Sequence, residues 1–301
     1  MTRKPVWMAV ILGLMVATAG TADAQGMFSK ARLAAKKAEE ERPIDLQAIQ
    51  PGARKLTEAY GGAARQAIDV YIPPDAHNAP VLVMVHGGAW MIGDKANTGS
   101  VENKLKHWLP KGFIVVSVNY RMLPDIMAYE QAEDVAHAVA YVQDHAAGWG
   151  GNAARLILMG HSAGAHIVAL ISSAPDMVGK PWAGTVVLDS AVMDVPAVMQ
   201  TRHLGFYDKA FGSDPAYWRK ASPIDRWTPA AVPMMLVCST KRPDRPCDAA
   251  NDFHDKAEKA GKAMPVFPRA LTHEEVNRTL GLPGDYTDAV DAFIARSLDA
   301  G

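Results

Sequence analysis

Gly160-His161-Ser162-Ala163-Gly164 is the segment of this sequence best suited to nucleophilic chemistry. An apolar run of strand length, residues 156–159, leads straight into it, and a helical pattern, residues 163–172, leads straight out. A sharp strand-to-helix turn leaves no room for side chains beside its central residue, so small residues are needed two before and two after the serine. The Ser162 hydroxyl then stands exposed at a helix N-terminus, positioned to attack a carbonyl once a base takes its proton.

Ten histidines are available as that base. In a sheet that delivers its nucleophile this way, the base comes late, after the last strand, and only His254 and His273 come after the seventh strand. His254 lies inside a helical pattern, residues 248–261, whereas His273 lies in a loop after the last apolar run, so His273 is the expected base. The acid that orients it is expected just after the seventh strand, where Asp244 and Asp248 both qualify. Asp248 is placed to cap the following helix, and Asp244, in the loop 241–246, is preferred.

His86-Gly87-Gly88-Ala89-Trp90 directly follows another apolar run, residues 81–85. Glycines there let backbone N–H groups approach a reacting oxygen, making Gly87 and Gly88, with the N–H of Ala163, the candidate oxyanion hole. His86 and His161 belong to the two turns and are expected to shape them. His273-Glu274-Glu275-Val276-Asn277 begins like a zinc-protease motif but carries Asn277 where the second ligand must stand, so no metal is expected. The sequence has neither a phosphate-binding GxxxxGK loop nor a dinucleotide fingerprint, and no cofactor is expected.

Strand-length runs alternate with helical patterns from residue 55 onward, which predicts a mostly parallel sheet flanked by helices. Eight strands are expected, at residues 55–60, 66–71, 81–85, 113–119, 156–159, 185–189, 234–238 and 264–267, the first two forming an antiparallel pair around Gly61-Gly62. Helices are expected at 128–145, 163–172, 248–261 and 286–298. Residues 195–229 are irregular and aromatic-rich, with Phe206, Tyr207, Phe211, Tyr217, Trp218 and Trp227, and both a lid over a pocket and a packed surface loop fit that pattern.

The 301 residues suffice for one large core. Residues 1–24 have the parts of a secretory signal: Arg3 and Lys4, an apolar run from residue 6 to 17, and Ala22-Asp23-Ala24 before a cut ahead of Gln25. The run is shorter than the ~20 residues that span a bilayer, so no stable membrane anchor is expected and the protein is read as exported, periplasmic or secreted. Residues 25–54 read as a solvated lead-in and 55–301 as the catalytic domain. Losing Arg3, Lys4 and Asp23 takes the formal charge from −1 to −2, which does not favour a nucleic-acid partner. Export also favours a disulfide between the only two cysteines, Cys238 and Cys247, which would stabilise the fold by about 2–3 kcal/mol and encircle Asp244.

Taken in order, HGGAW, Asn119-Tyr120-Arg121, GHSAG and the late His273 resemble the α/β-hydrolase superfamily, in the esterase, lipase and arylformamidase branch marked by an HGGxW turn. The resemblance covers roughly residues 65–298. It implies an α/β-hydrolase fold, acyl-enzyme chemistry on a small carboxylic ester or an aryl formamide, and a structural role for Tyr120, Arg121 and Asp134. The loop 241–247 departs from the family's common Gly-x-x-Asp form. A non-catalytic binding protein on the same scaffold is the alternative from another class.

Overall fold

The computed structural model describes residues 42–300. The proposed signal and most of the lead-in, including the charged run 29–41, lie outside the described residues.

Short apolar runs, fully buried in the central strands and exposed in the edge strand β1, alternate with longer amphipathic ones, and the chain builds from them an eight-stranded sheet of order β1-β2-β4-β3-β5-β6-β7-β8. A short helix α1 (Leu46–Ile49) precedes β1 (Arg54–Ala59), β2 (Ala67–Ile72) and β3 (Ala79–Val85). Then come α2 (Thr98–Trp108), β4 (Ile114–Val118), α3 (Ala128–His145), β5 (Gly151–His161), α4 (Ala163–Ser173) and β6 (Gly184–Leu188). Four short helices follow: α5 (Val195–Met199), α6 (Gly205–Phe211), α7 (Pro215–Lys220) and α8 (Pro223–Arg226). The chain closes with β7 (Met234–Ser239), α9 (Pro246–Lys259), β8 (Val266–Arg269), α10 (His273–Arg278) and α11 (Asp285–Asp299). β1 and β2 pair antiparallel, β2 meets β4 antiparallel, and all later pairings are parallel.

Alternate residues of the central strands feed two separate cores. Val83, Val85, Leu156 and Leu158 join the core on the side of α3 and α4, which α9 extends over β7 and β8. Leu82, Met84, Ile157 and Met159 face Val101, Leu105 and Trp108 of α2 and Val290, Phe293 and Ile294 of α11. A strand buried on both faces puts successive residues into opposite layers, which is why these runs read as continuously apolar. Ile44, Leu46 and Ile49, assigned from sequence to the lead-in, pack against the second core.

The expected strands and helices are present, with ends displaced by up to five residues, and seven helices are additional: α1, α2, α10 and the four short ones between β6 and β7. α2 escapes the pattern because its buried face includes Thr98, Ser100 and Lys104. α10 begins at His273, a residue expected in a loop; Thr272 caps it, accepting from Glu275 N while the Glu275 side chain accepts from Thr272 N. Residues 195–229 are helical rather than irregular, and Phe211 and Trp227 are buried in the first core. Among the described residues no helix is long and apolar enough to cross a membrane.

Candidate active site

β5 runs into Ser162, and α4 starts at the next residue. Ser162 has φ 58° and ψ −118°, a strained conformation for a residue with a side chain, of the kind found where surrounding packing over-determines the backbone. The packing is tight: a Cβ on Gly160 would lie 2.4 Å from Gly164 O, and one on Gly164 2.4 Å from Val85 O. Both glycines are therefore required for α4 to start against the ends of β5 and β3. Ser162 N donates to Leu188 O (2.9 Å), tying the turn to β6.

His273 Nε2 lies 2.8 Å from Ser162 Oγ, and its Nδ1 lies 2.7 Å from Asp189 Oδ2. Asp189, not Asp244, thus stands behind the imidazole. It follows β6 directly, is fully buried, and turns out of the strand at φ 59°. Its other oxygen, Oδ1, accepts from Ser239 N at the end of β7 (2.7 Å). Burial pushes the Asp189 carboxyl up, but its bond to His273, the charge of Arg242 and the Ser239 N–H outweigh burial and hold it below the usual carboxylate range. In the sequence Asp189 is indistinguishable from the last residue of the expected sixth strand, 185–189. The available signal was an acidic residue ending the strand beside the nucleophile strand.

Asp244 is half exposed and turned away from His273, with both oxygens on Arg242: Nε to Oδ1 at 2.9 Å, and Nη2 to Oδ2. It could not replace Asp189, because Arg242 fills the space between. Asp248 forms a surface pair with Arg245 (2.6 Å). Arg242, which no sequence motif marks, completes the group. Its Nη1 donates to Asp189 O (2.8 Å) and Oδ2 (3.0 Å) and lies 2.9 Å from His273 Nδ1. Cys238 and Cys247 form a disulfide, so one covalent loop carries both Arg242 and Asp244.

His273 is positioned through its backbone as well. His161 Nε2 lies 2.8 Å from His273 O, with the two rings 4.5 Å apart. Burial, followed by the charge of His273, pushes the His161 imidazole down to about 3, so it is neutral and its Nε2–H donates. α10 is tethered at its other end. Buried Lys104, pushed down to about 7 by burial, donates from Nζ to Asn277 O and to Asn277 Oδ1 (2.7 Å), and Asn103 Nδ2 donates to Arg278 O (2.5 Å).

The loop after β3 runs against the nucleophile. A Cβ on Gly87 would lie 2.8 Å from Ser162 Cβ and 2.8 Å from His161 O, so at this point only a bare backbone fits. Gly88 has φ +123°, and a Cβ there would meet Ile92 O at 1.9 Å. His86 is pushed down to about 4 by burial, and its Nδ1–H donates to Gly87 O (2.8 Å). Tyr120 stacks on His86 (4.7 Å) and donates to His86 O (2.9 Å). Arg121 pairs with Asp134 of α3 (2.6 Å), joining the end of β4 to that helix. Ala163 opens α4, where the first N–H groups have no partner within the helix.

Trp90 ends this loop and packs on Phe206, Tyr207 and Phe211 of α6 and on His166 of α4. The aromatic insertion therefore packs on the end of this loop through Trp90.

Comparison with known proteins agrees with this architecture. The BD-FAE family model matches residues 68–256. The chain is 28% identical over 259 residues to the isoprenylcysteine alpha-carbonyl methylesterase ICME of Arabidopsis thaliana, covering 78% of this chain and 60% of that protein. It is 30% identical over 223 residues to esterase LipQ of Mycobacterium tuberculosis, covering 68% of this chain and 52% of that one. The match to a probable rice methylesterase, ICMEL1, spans only 25% of that protein's length. The chain thus spans a quarter to about 60% of the length of these curated relatives. Among solved structures, esterase B from Lactobacillus rhamnosis superposes with a TM-score of 0.67 at 18% identity, covering 95% of this chain and 96% of that one. A truncated carbohydrate esterase from gut microbiota gives 0.68 at 15% identity, covering 85% and 99%. The sheet order and these superpositions establish an α/β-hydrolase fold, and the family match extends over most of the sheet and its central turn: the chain belongs to the BD-FAE family.

Proposed function

We propose that this protein is an exported serine hydrolase of small carboxylic esters. The observation that carries the reading is the unbroken chain from Ser162 Oγ through His273 to the buried carboxylate of Asp189, at 2.8 and 2.7 Å. His273 Nε2 takes the Ser162 proton as Oγ attacks the ester carbonyl. N–H groups of Gly87, Gly88 and Ala163 hold the tetrahedral oxyanion, and the imidazolium returns the proton to the departing alcohol. Water, activated by the same histidine, then frees the acid. Asp189 keeps the Nδ1–H tautomer in place and stabilises the imidazolium.

The relatives named as esterases support ester chemistry, and the composition of residues 1–25 supports export, with which the Cys238–Cys247 disulfide is consistent. Hydrolysis of p-nitrophenyl acetate, butyrate and octanoate tests the chemistry. Turnover that Ser162→Ala lowers by about 10⁵ or more supports it. No turnover and no labelling by a fluorophosphonate would remove the hydrolase reading in favour of a binding protein on this scaffold. N-terminal sequencing of the protein recovered outside the cytoplasm tests export, with Gln25 the expected first residue.

A further inference from the structure

One atom of Arg242 sits at the junction of the base and its acid. Nη1 is 3.0 Å from Asp189 Oδ2 and 2.9 Å from His273 Nδ1, and those two atoms are 2.7 Å from each other. Three polar atoms at such distances cannot all hydrogen-bond pairwise. A guanidinium only donates, so Nη1 can bond Nδ1 only when Nδ1 carries no proton. With the proton on Nδ1 and pointing at Asp189, the Nε2 lone pair faces Ser162 and the histidine is a competent base. If Nη1 donates to Nδ1 instead, the ring proton moves to Nε2, points at Ser162 Oγ, and the base is lost. Which nitrogen of a histidine carries the proton follows from the bond its other nitrogen makes, so the direction of the Arg242 N–H bonds decides the state of the catalytic base.

Asp244 sets that direction. It grips the opposite edge of the guanidinium through Nε (2.9 Å) and Nη2, and a forked pair fixes the guanidinium plane. In the gripped orientation Nη1 also donates to the Asp189 backbone oxygen (2.8 Å), which engages one of its two hydrogens. The disulfide that closes residues 238–247 into a loop holds both partners of the grip on one short segment.

Resting on the triad reading above, we propose that Asp244 and Arg242 act as one positioning unit: Asp244 clamps Arg242 so that Nη1 serves Asp189 and leaves His273 in its Nδ1–H tautomer. Asp244 then acts on catalysis only through Arg242. The other ionisable groups around His273 are His161, neutral beneath it; Asp189 behind it; Glu274 and Glu275 on its own helix; Lys241 beside Glu275; and Lys104, further along α10, and none of them reaches Nδ1 except Asp189 and Arg242.

The test is a double-mutant cycle on ester turnover with Asp244→Asn, Arg242→Gln and the pair together, alongside ¹⁵N chemical shifts of the His273 ring at neutral pH. Asp244→Asn is expected to lower kcat about tenfold with KM unchanged, and to move the ring resonances toward the Nε2–H tautomer. Arg242→Gln abolishes that penalty: the double variant matches Arg242→Gln alone in kcat and keeps Nδ1–H. Arg242→Lys, which keeps the charge but not the fork, behaves like Asp244→Asn. Additive losses in the cycle, or an Nδ1–H ring unchanged in Asp244→Asn, would overturn the proposal. The ring shifts read the tautomer whether or not the protein turns over esters, so failure of the esterase reading and failure of the clamp are seen separately.

Discussion

His161, the residue before the nucleophile, holds the backbone oxygen of His273, the residue that faces the nucleophile, at 2.8 Å. One turn therefore determines the place of both partners: its serine supplies the hydroxyl and its histidine anchors the start of α10. Replacing His161 by Leu removes this side-chain donor from a part-buried carbonyl, at a stability cost of about 1 kcal/mol. Because a misplacement of about 1 Å costs about 10²-fold in rate, kcat is expected to fall by about 10–100-fold. His161→Asn, which keeps a donor, recovers part of the rate. Steady-state kinetics with urea unfolding separates the two effects, and a Leu variant with wild-type kcat would show that the bond does not position the base.

Asp189→Asn tests the acid. The amide can no longer hold the Nδ1–H tautomer, and kcat is expected to fall by about 10⁴. The fall should far exceed that in Asp244→Asn. The reverse order would restore Asp244 as the acid, and it could arise only if the loop 238–247 rearranged on substrate binding.

At Gly87 the prediction is a separation of rate from stability. The Cβ of Gly87→Ala would meet Ser162 Cβ and His161 O at 2.8 Å, so the loop must shift away from the nucleophile. Loss of aligned N–H donors lowers kcat by about 10²–10³-fold. Gly88→Ala, at φ +123° and 1.9 Å from Ile92 O, should also destabilise the fold, and thermal unfolding of the two variants distinguishes them.

Stability is expected to fall on mild acidification. His86, His161 and His166 are pushed down by burial to about 4, 3 and 4, whereas in the unfolded chain a histidine takes its proton near 6.5. Below about pH 6.5 the unfolded state therefore binds more protons than the folded one, and the stability present above that pH is lost as pH falls towards 4. Three such groups give a slope of about 4 kcal/mol per pH unit around pH 5. Urea unfolding at pH 7, 6 and 5 measures it, and His166→Gln should remove about a third of the slope. The ion-paired carboxylates Asp69 and Asp189, held below their usual range, add their own loss only in more acid solution.

The nucleophile turn, the Gly87-Gly88 loop, the late histidine, the eight strands and the two cysteines were all legible along the chain. Each depends on neighbours in sequence: a steric need for glycine, a period of two or of 3.6, a strand ending in a polar turn. The acid was not legible. Asp189 and His273 are 84 positions apart, and Asp244 is closer in sequence yet faces away. What decides between them is the pairing of β6 with β7, which brings Ser239 N to Asp189 Oδ1 and gives that carboxylate a buried seat beside His273. Arg242 then fills the space through which Asp244 would have to reach. Lys104 was equally hidden, a charged residue on the buried face of a helix whose partner, Asn277, lies 173 positions away. Turns and periodicities are short-range and are written in the order of residues; the direction of a carboxylate is set by strand register and by competing cations, and those exist only once the sheet has formed.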